Sequence, residues 1–318
     1  MKTGLVLGAG GTVGMAYIAG ALRALEVEAG FVPESADLVV GTSAGSVVGS
    51  YLRTGWSSED FWLLAHGEHP RMPALDDGSG SVMAPAYRSP LGLLRRGLGS
   101  AYVMAQSVAR LPIGSIPGPL RRAFPGGLYS MRENRERLTA ELGGEWPSRP
   151  LWLVAVDILS GRRVVLGREG SPSCSLADAV QASCAIPGVY KPVRVGDVTL
   201  VDGGAHSTTN LDLAGSDGCE LIICVAPMAF DTSERLPSAV QRMVRMFPAR
   251  KLSAEVAGAR RAGAEVLMLR PSVADLQVQG LNMMRPAGME LVARAAYEST
   301  SRALSTDRFK SVLSSASA

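Results

Sequence analysis

Charged side chains are scarce in this sequence: of 318 residues, 19% are Asp, Glu, Lys or Arg, and the formal net charge is +3. So weak an excess gives no reason to expect a nucleic-acid partner, and no RNP, zinc-finger or basic-region pattern supplies one. Histidine is scarcer still, with His66, His69 and His206 the three in the chain. His66 and His69 have H-x-x-H spacing, but no third ligand accompanies them. No metal is therefore expected, and both read as surface residues at the end of a helix. The four cysteines (Cys174, Cys184, Cys219 and Cys224) form no C-x-x-C pair and read as reduced, mostly buried small hydrophobes. No charge-free apolar run is long enough to cross a bilayer. Met1-Lys2-Thr3-Gly4 leads directly into an apolar strand with no leader pattern, so the expected compartment is the cytoplasm.

What is abundant is apolar residues, at 47%, and glycine, at 36 residues. That suits a folded chain with a large core. The sequence is organised around Gly41-Thr42-Ser43-Ala44-Gly45. Asp37-Leu38-Val39-Val40 before it reads as a buried strand, and Ser46 to Leu52 after it reads as a helix. Ser43 thus falls on a sharp strand-to-helix turn, the context that separates a nucleophile elbow from a chance G-x-S-x-G. Small residues must flank such a turn, because a Cβ at 41 or 45 would collide with its neighbours. The helix N-terminus then points free N–H groups and a positive dipole end toward the attacking oxygen.

A second glycine cluster, Gly8-Ala9-Gly10-Gly11-Thr12-Val13-Gly14, follows the apolar run Leu5-Val6-Leu7 and precedes a helix from Met15 to Glu28. It is not a dinucleotide fingerprint: strict G-x-G-x-x-G fails at Val13 from Gly8, and no acid for a ribose ends the second strand. The other use of such a loop is anion binding by backbone N–H groups, which beside a nucleophilic serine becomes an oxyanion hole. A serine also needs a base. His206 is the one histidine placed to serve in a triad. Asp202, which ends the apolar strand Val198–Val201 and precedes Gly203-Gly204, is the stronger choice. A desolvated carboxylate can take the proton itself, although Asp-Gly also commonly marks a simple Asx-turn.

From 72 to 127 the chain is broken by proline and glycine. Between Arg88 and Arg122 its charged residues are six arginines and no acid, interleaved with leucines. Two readings stay open: a helical subdomain with solvated arginines, or a mobile cap that meets anionic lipid heads. Beyond it, strands are expected at 151–156, 162–166, 193–195, 198–201, 220–225 and 265–269. Helices are expected near 132–142, 176–183 and 236–262. A long helical tail is expected over 287–318, with Met289, Leu291, Val292, Ala295 and Ala296 inward.

The glycine-rich loop, G-T-S-A-G and D-G-G, in that order, resemble the patatin-like phospholipase family. Ala182-Ser183-Cys184-Ala185-Ile186-Pro187-Gly188, Lys191-Pro192-Val193 and the Asp157…Gly161 turn support the match, which runs over about 3–60 and 150–226. The resemblance implies one domain: a three-layer α/β/α sandwich on a mostly parallel sheet, with 72–127 inserted. It implies a Ser43–Asp202 dyad, an oxyanion hole from the N–H groups of Gly10, Gly11 and Thr12, and Gly8, Gly14, Gly41, Gly45, Gly203 and Gly204 as supports. It implies hydrolysis of glycerolipid acyl esters through an acyl-enzyme, with no cofactor and no metal. The implied partner is the lipid or acyl-ester substrate; the arginines of the insert, on the cap reading, add peripheral contact with the anionic inner surface of a membrane. Two positions depart from the family pattern: Ala9 for the first glycine of the motif, and Val13 where Arg or Lys is usual. An acyltransferase or thioesterase with the same dyad is the enzyme alternative. A catalytically idle membrane-binding or regulatory protein is the alternative of another class.

Overall fold

The structure is a computed structural model that describes residues 1–71, 131–234 and 238–316. The 72–127 insert and its arginines lie outside the described residues. Elements are numbered through the described residues in chain order. The strands are β1 (Thr3–Leu7), β2 (Leu38–Thr42), β3 (Leu151–Asp157), β4 (Arg163–Leu166), β5 (Val193–Val195), β6 (Val198–Asp202), β7 (Leu221–Val225) and β8 (Glu265–Leu269). The helices are α1 (Gly11–Ala29), α2 (Ala44–Arg53), α3 (Ser58–His66), α4 (Arg132–Leu142), α5 (Leu176–Cys184), α6 (Asp212–Ser216), α7 (Ala239–Arg261), α8 (Val273–Gln279), α9 (Met289–Leu304) and α10 (Asp307–Ala316).

The eight strands form one sheet in the order β5-β6-β3-β2-β1-β7-β8, with β4 paired to β3. β3, β2, β1, β7 and β8 run parallel, whereas β4, β5 and β6 are antiparallel to their partners. β1, β2 and β7 are buried along their whole length, which is why they read as unbroken apolar runs rather than alternating ones. Their alternation still sorts the core. Leu5, Leu7, Val39, Leu153 and Ile223 face a cluster with α1, α2, α5 and α9, while Val6, Val40, Val154, Ile222 and Val266 face one with α6 and α7. The result is the expected three-layer α/β/α sandwich.

Register decides where the chemistry can sit. Residues 151–154 of β3 pair with β2, 153–156 with β4, and 155–157 with β6. The overlaps put β4 along one edge of β3, and β2 and β6 end to end along the other. Thr42 lies beside Val154 and Asp202 beside Ala155. The carboxyl ends of β2 and β6 therefore meet head-on from opposite directions.

Three local expectations change. α1 begins at Gly11 rather than Met15, because Gly10 caps it and the Gly14 N–H reaches the Gly10 carbonyl at 2.7 Å, inside the first turn. The terminal segment is two helices rather than one, and Leu291 is 63% exposed, while Val292, Ala293 and Ala296 pack inward against α1. His69 is buried rather than on the surface: its ring stacks on Trp56 with centroids 4.5 Å apart, and Nε2 lies 3.3 Å from the Asp60 carboxylate.

Candidate active site

The turn at Ser43 is strained as its sequence requires. Ser43 has φ 53° and ψ −116°, one of two non-glycine residues with positive φ among those described. A Cβ on Gly45 would fall 1.9 Å from the Leu7 carbonyl oxygen, and one on Gly41 would fall 2.6 Å from the Gly45 carbonyl oxygen. Side chains from α5 hold the turn. The Ser43 N–H donates to Ser183 Oγ at 3.0 Å, and that hydroxyl donates to the Val154 carbonyl at 2.7 Å. The Cys184 thiol donates to the Ser43 carbonyl at 3.4 Å. Burial, then the nearby Asp202, push that thiol up to about 12, so Cys184 stays a neutral packing group.

Asp202 is 5% exposed, and the Ser43 hydroxyl lies near enough to favour its charged form. Its Oδ1 accepts the Gly204 N–H at 2.7 Å. Burial drives its carboxyl from 3.8 up to about 6, against the smaller opposing pull of those two groups. The Asx-turn anticipated for Asp-Gly-Gly is thus present, and the same carboxylate also faces the serine. Gly203 lies against β3, where a Cβ would meet the Val154 carbonyl oxygen at 2.3 Å.

The glycine-rich loop leaves β1 next to the elbow. The Gly45 N–H bonds the Gly8 carbonyl at 3.1 Å, and the Gly8 and Ala9 N–H groups bond the Val225 and Thr208 carbonyls at 2.9 and 2.7 Å. The N–H groups of Gly10, Gly11 and Thr12 lie at the cap and first turn of α1, where a helix supplies no internal acceptor. They are thus available to an anion, with the helix dipole behind them. The next N–H, of Val13, is taken by the Met283 carbonyl at 3.1 Å. Val13 is fully buried, so the position where the family usually has a cation faces the core here.

Among the described residues no hydrogen bond joins His206 to Ser43. The charged groups acting on it are Arg163, Lys251 and Asp212; burial first and then the two cations lower its pKa.

Sequence reasoning missed two contributors. One is the strap between α8 and α9, whose Met283 and Met284 close over Gly11: a Cβ there would lie 2.6 Å from both the Met283 carbonyl oxygen and Met284 Sδ. No local signal marks it, since it arrives from the far end of the chain. The other is the Ser207–Asp212 turn. Asn210, also at φ 53°, donates to Thr42 Oγ1 at 3.1 Å, and buried Glu255 accepts from Thr209 Oγ1 at 2.9 Å and the Leu211 N–H at 3.0 Å. The polar run Ser207-Thr208-Thr209-Asn210 behind D-G-G is the available hint.

A mostly parallel sheet carrying a serine on a strained strand–helix turn, near a buried carboxylate, defines a class of α/β proteins. The family model described as patatin-like phospholipase matches residues 5–214, and the chain belongs to that family. It is 28% identical over 222 residues to uncharacterized NTE family proteins of Mycobacterium tuberculosis and Mycobacterium bovis. The matched stretch is 70% of this chain and 30% of each relative. Among solved structures, VipD from Legionella pneumophila aligns over 95% of this chain and 66% of its own, with TM-score 0.44 and 16% identity.

Proposed function

We propose that this protein hydrolyses acyl esters of lipids through a Ser43 acyl-enzyme, with Asp202 as the base. The observation that carries the reading is the buried Asp202 carboxylate, its proton affinity raised by burial, beside Ser43 on its strained turn where the carboxyl ends of β2 and β6 meet. In the first half-reaction Ser43 Oγ attacks the ester carbonyl carbon and its proton passes to Asp202. The oxyanion so formed is met by the N–H groups of Gly10, Gly11 and Thr12. The intermediate collapses, and the leaving alkoxide takes the proton from Asp202. In the second half, water attacks the acyl-enzyme, gives its proton to Asp202, and the proton returns to Ser43 as the acid leaves. With its carboxyl at about 6, Asp202 is mostly ionised at neutral pH yet more basic than an ordinary aspartate. Cytoplasmic residence, with peripheral contact at the inner membrane surface, completes the proposal.

The test is fluorophosphonate labelling beside a panel of lipid and p-nitrophenyl esters. Ser43→Ala should lose both the label and at least about a thousandfold in turnover while keeping the wild-type melting curve. Retained turnover in the purified variant would overturn the assignment. Product analysis with an alcohol acceptor separates hydrolysis from acyl transfer.

A further inference from the structure

Helix α7 carries an apolar stripe on its outer side. Gln241, Val244, Arg245 and Pro248 are buried on its inner face. Val240, Met243 and Phe247, at helical spacing on the other face, are 40%, 48% and 47% exposed. The stripe has a basic surround. Arg242 and Arg250 flank it, Lys251 follows, and the single acid of the helix, Glu255, is buried. Arg250 follows Phe247 on the exposed side.

The same half of the helix is joined to the active-site strap. Gln241 Nε2 donates to the Leu276 carbonyl at 3.0 Å, and Arg245 donates to the Gln279 side chain at 2.6 Å and to the Pro227 carbonyl at 2.7 Å. Pro227 flanks the oxyanion loop, where a Cβ on Gly10 would lie 3.0 Å from it. Leu281, 48% exposed, opens the strap that continues into Met283 and Met284 over Gly11. Exposed apolar side chains on α7 and the strap thus lie on elements that also border the oxyanion loop.

We infer that the Val240–Met243–Phe247 stripe of α7, with Leu281, is the surface on which this protein docks to an anionic lipid bilayer, so that lipid esters enter beside Gly11. Apolar side chains enter the headgroup boundary while the surrounding arginines meet anionic headgroups. An excess of cations on the helix selects an anionic surface over a neutral one, and salt screens that part of the attraction. The inference rests on the lipid-ester reading for its purpose, but docking itself needs no turnover.

The experiment uses the full chain in Ser43→Ala form, so that binding is read without hydrolysis. It is mixed with phosphatidylglycerol–phosphatidylcholine vesicles or pure phosphatidylcholine vesicles and sedimented at low and high salt. Met243→Glu/Phe247→Glu should reduce partitioning to anionic vesicles by roughly tenfold or more. Arg242→Gln/Arg250→Gln should reduce it several-fold and flatten the salt dependence. In the active background both pairs should leave kcat/KM for a short soluble ester within about twofold, because the stripe is on the outer face. Vesicle binding unchanged by Met243→Glu/Phe247→Glu, or absent from the parent, overturns the inference. So does a parent dimer that this pair dissociates, which would make the stripe a contact between copies. Loss of soluble-ester activity in a variant with a wild-type melting curve overturns it too, by making the face part of the catalytic machinery. Failure of the hydrolase reading appears separately, as ester turnover that survives Ser43→Ala.

Discussion

Replacing Asp202 by Asn should make the protein more stable as it makes it inactive. The carboxyl rises from 3.8 to about 6 in the fold, so the folded state holds the proton more tightly than the unfolded chain does. Ionising it therefore works against folding. Stability contributed through this group is full below about pH 3.8, is lost as pH rises toward 6, and stays lost above. At about 1.4 kcal/mol per tenfold in proton affinity, the full loss is about 3 kcal/mol. Asn has nearly the same shape, keeps an oxygen for the Gly204 N–H and never ionises. The gap between Asp202→Asn and wild type should be about 1 kcal/mol at pH 4.5 and grow to about 3 kcal/mol at pH 8. In a chain of this size that is several degrees in Tm at the higher pH, roughly 5 °C or more. The assay is a pair of thermal melts at the two pH values and one scan rate, beside an ester assay. In wild type, kcat/KM should fall on the acid side with an apparent pKa near 6. A variant no more stable than wild type at pH 8, or a gap that does not widen with pH, would refute the argument that desolvation sets the base.

His206→Ala should keep ester turnover within about threefold of wild type, since its charged neighbours are Arg163, Lys251 and Asp212; a loss as large as that of Ser43→Ala would restore a histidine base. Gly45→Ala should cost more than about 3 kcal/mol or prevent folding, because its Cβ would fall 1.9 Å from the Leu7 carbonyl oxygen, in backbone that cannot move aside; denaturant melts measure it, and a near-neutral result would mean the elbow is not tight.

What the sequence determined by itself is local. Unbroken apolar runs mark strands buried on both faces, and β1, β2 and β7 are such strands. Small residues at 41 and 45 mark a turn that a Cβ would block, and Ser43 sits there at φ 53°. Glycines ahead of α1 leave its first N–H groups available. Each of these depends on residues a few positions apart, where spacing alone carries the geometry. The tertiary structure decided what depends on direction and burial. The sequence places Asp202 at the end of a strand; the structure brings that end beside Ser43, on an antiparallel strand that runs into β2 end to end along β3. Strand direction is set by pairing between segments far apart in sequence. Whether His69 is solvated or stacked on Trp56, whether Leu291 faces α1 or water, and whether a distant Met283–Met284 strap covers Gly11 depend on which surfaces pack together. Desolvation of Asp202 is of the same kind: the residue type supplies a carboxylate, and only the enclosure built by β3, α5 and the elbow raises its proton affinity.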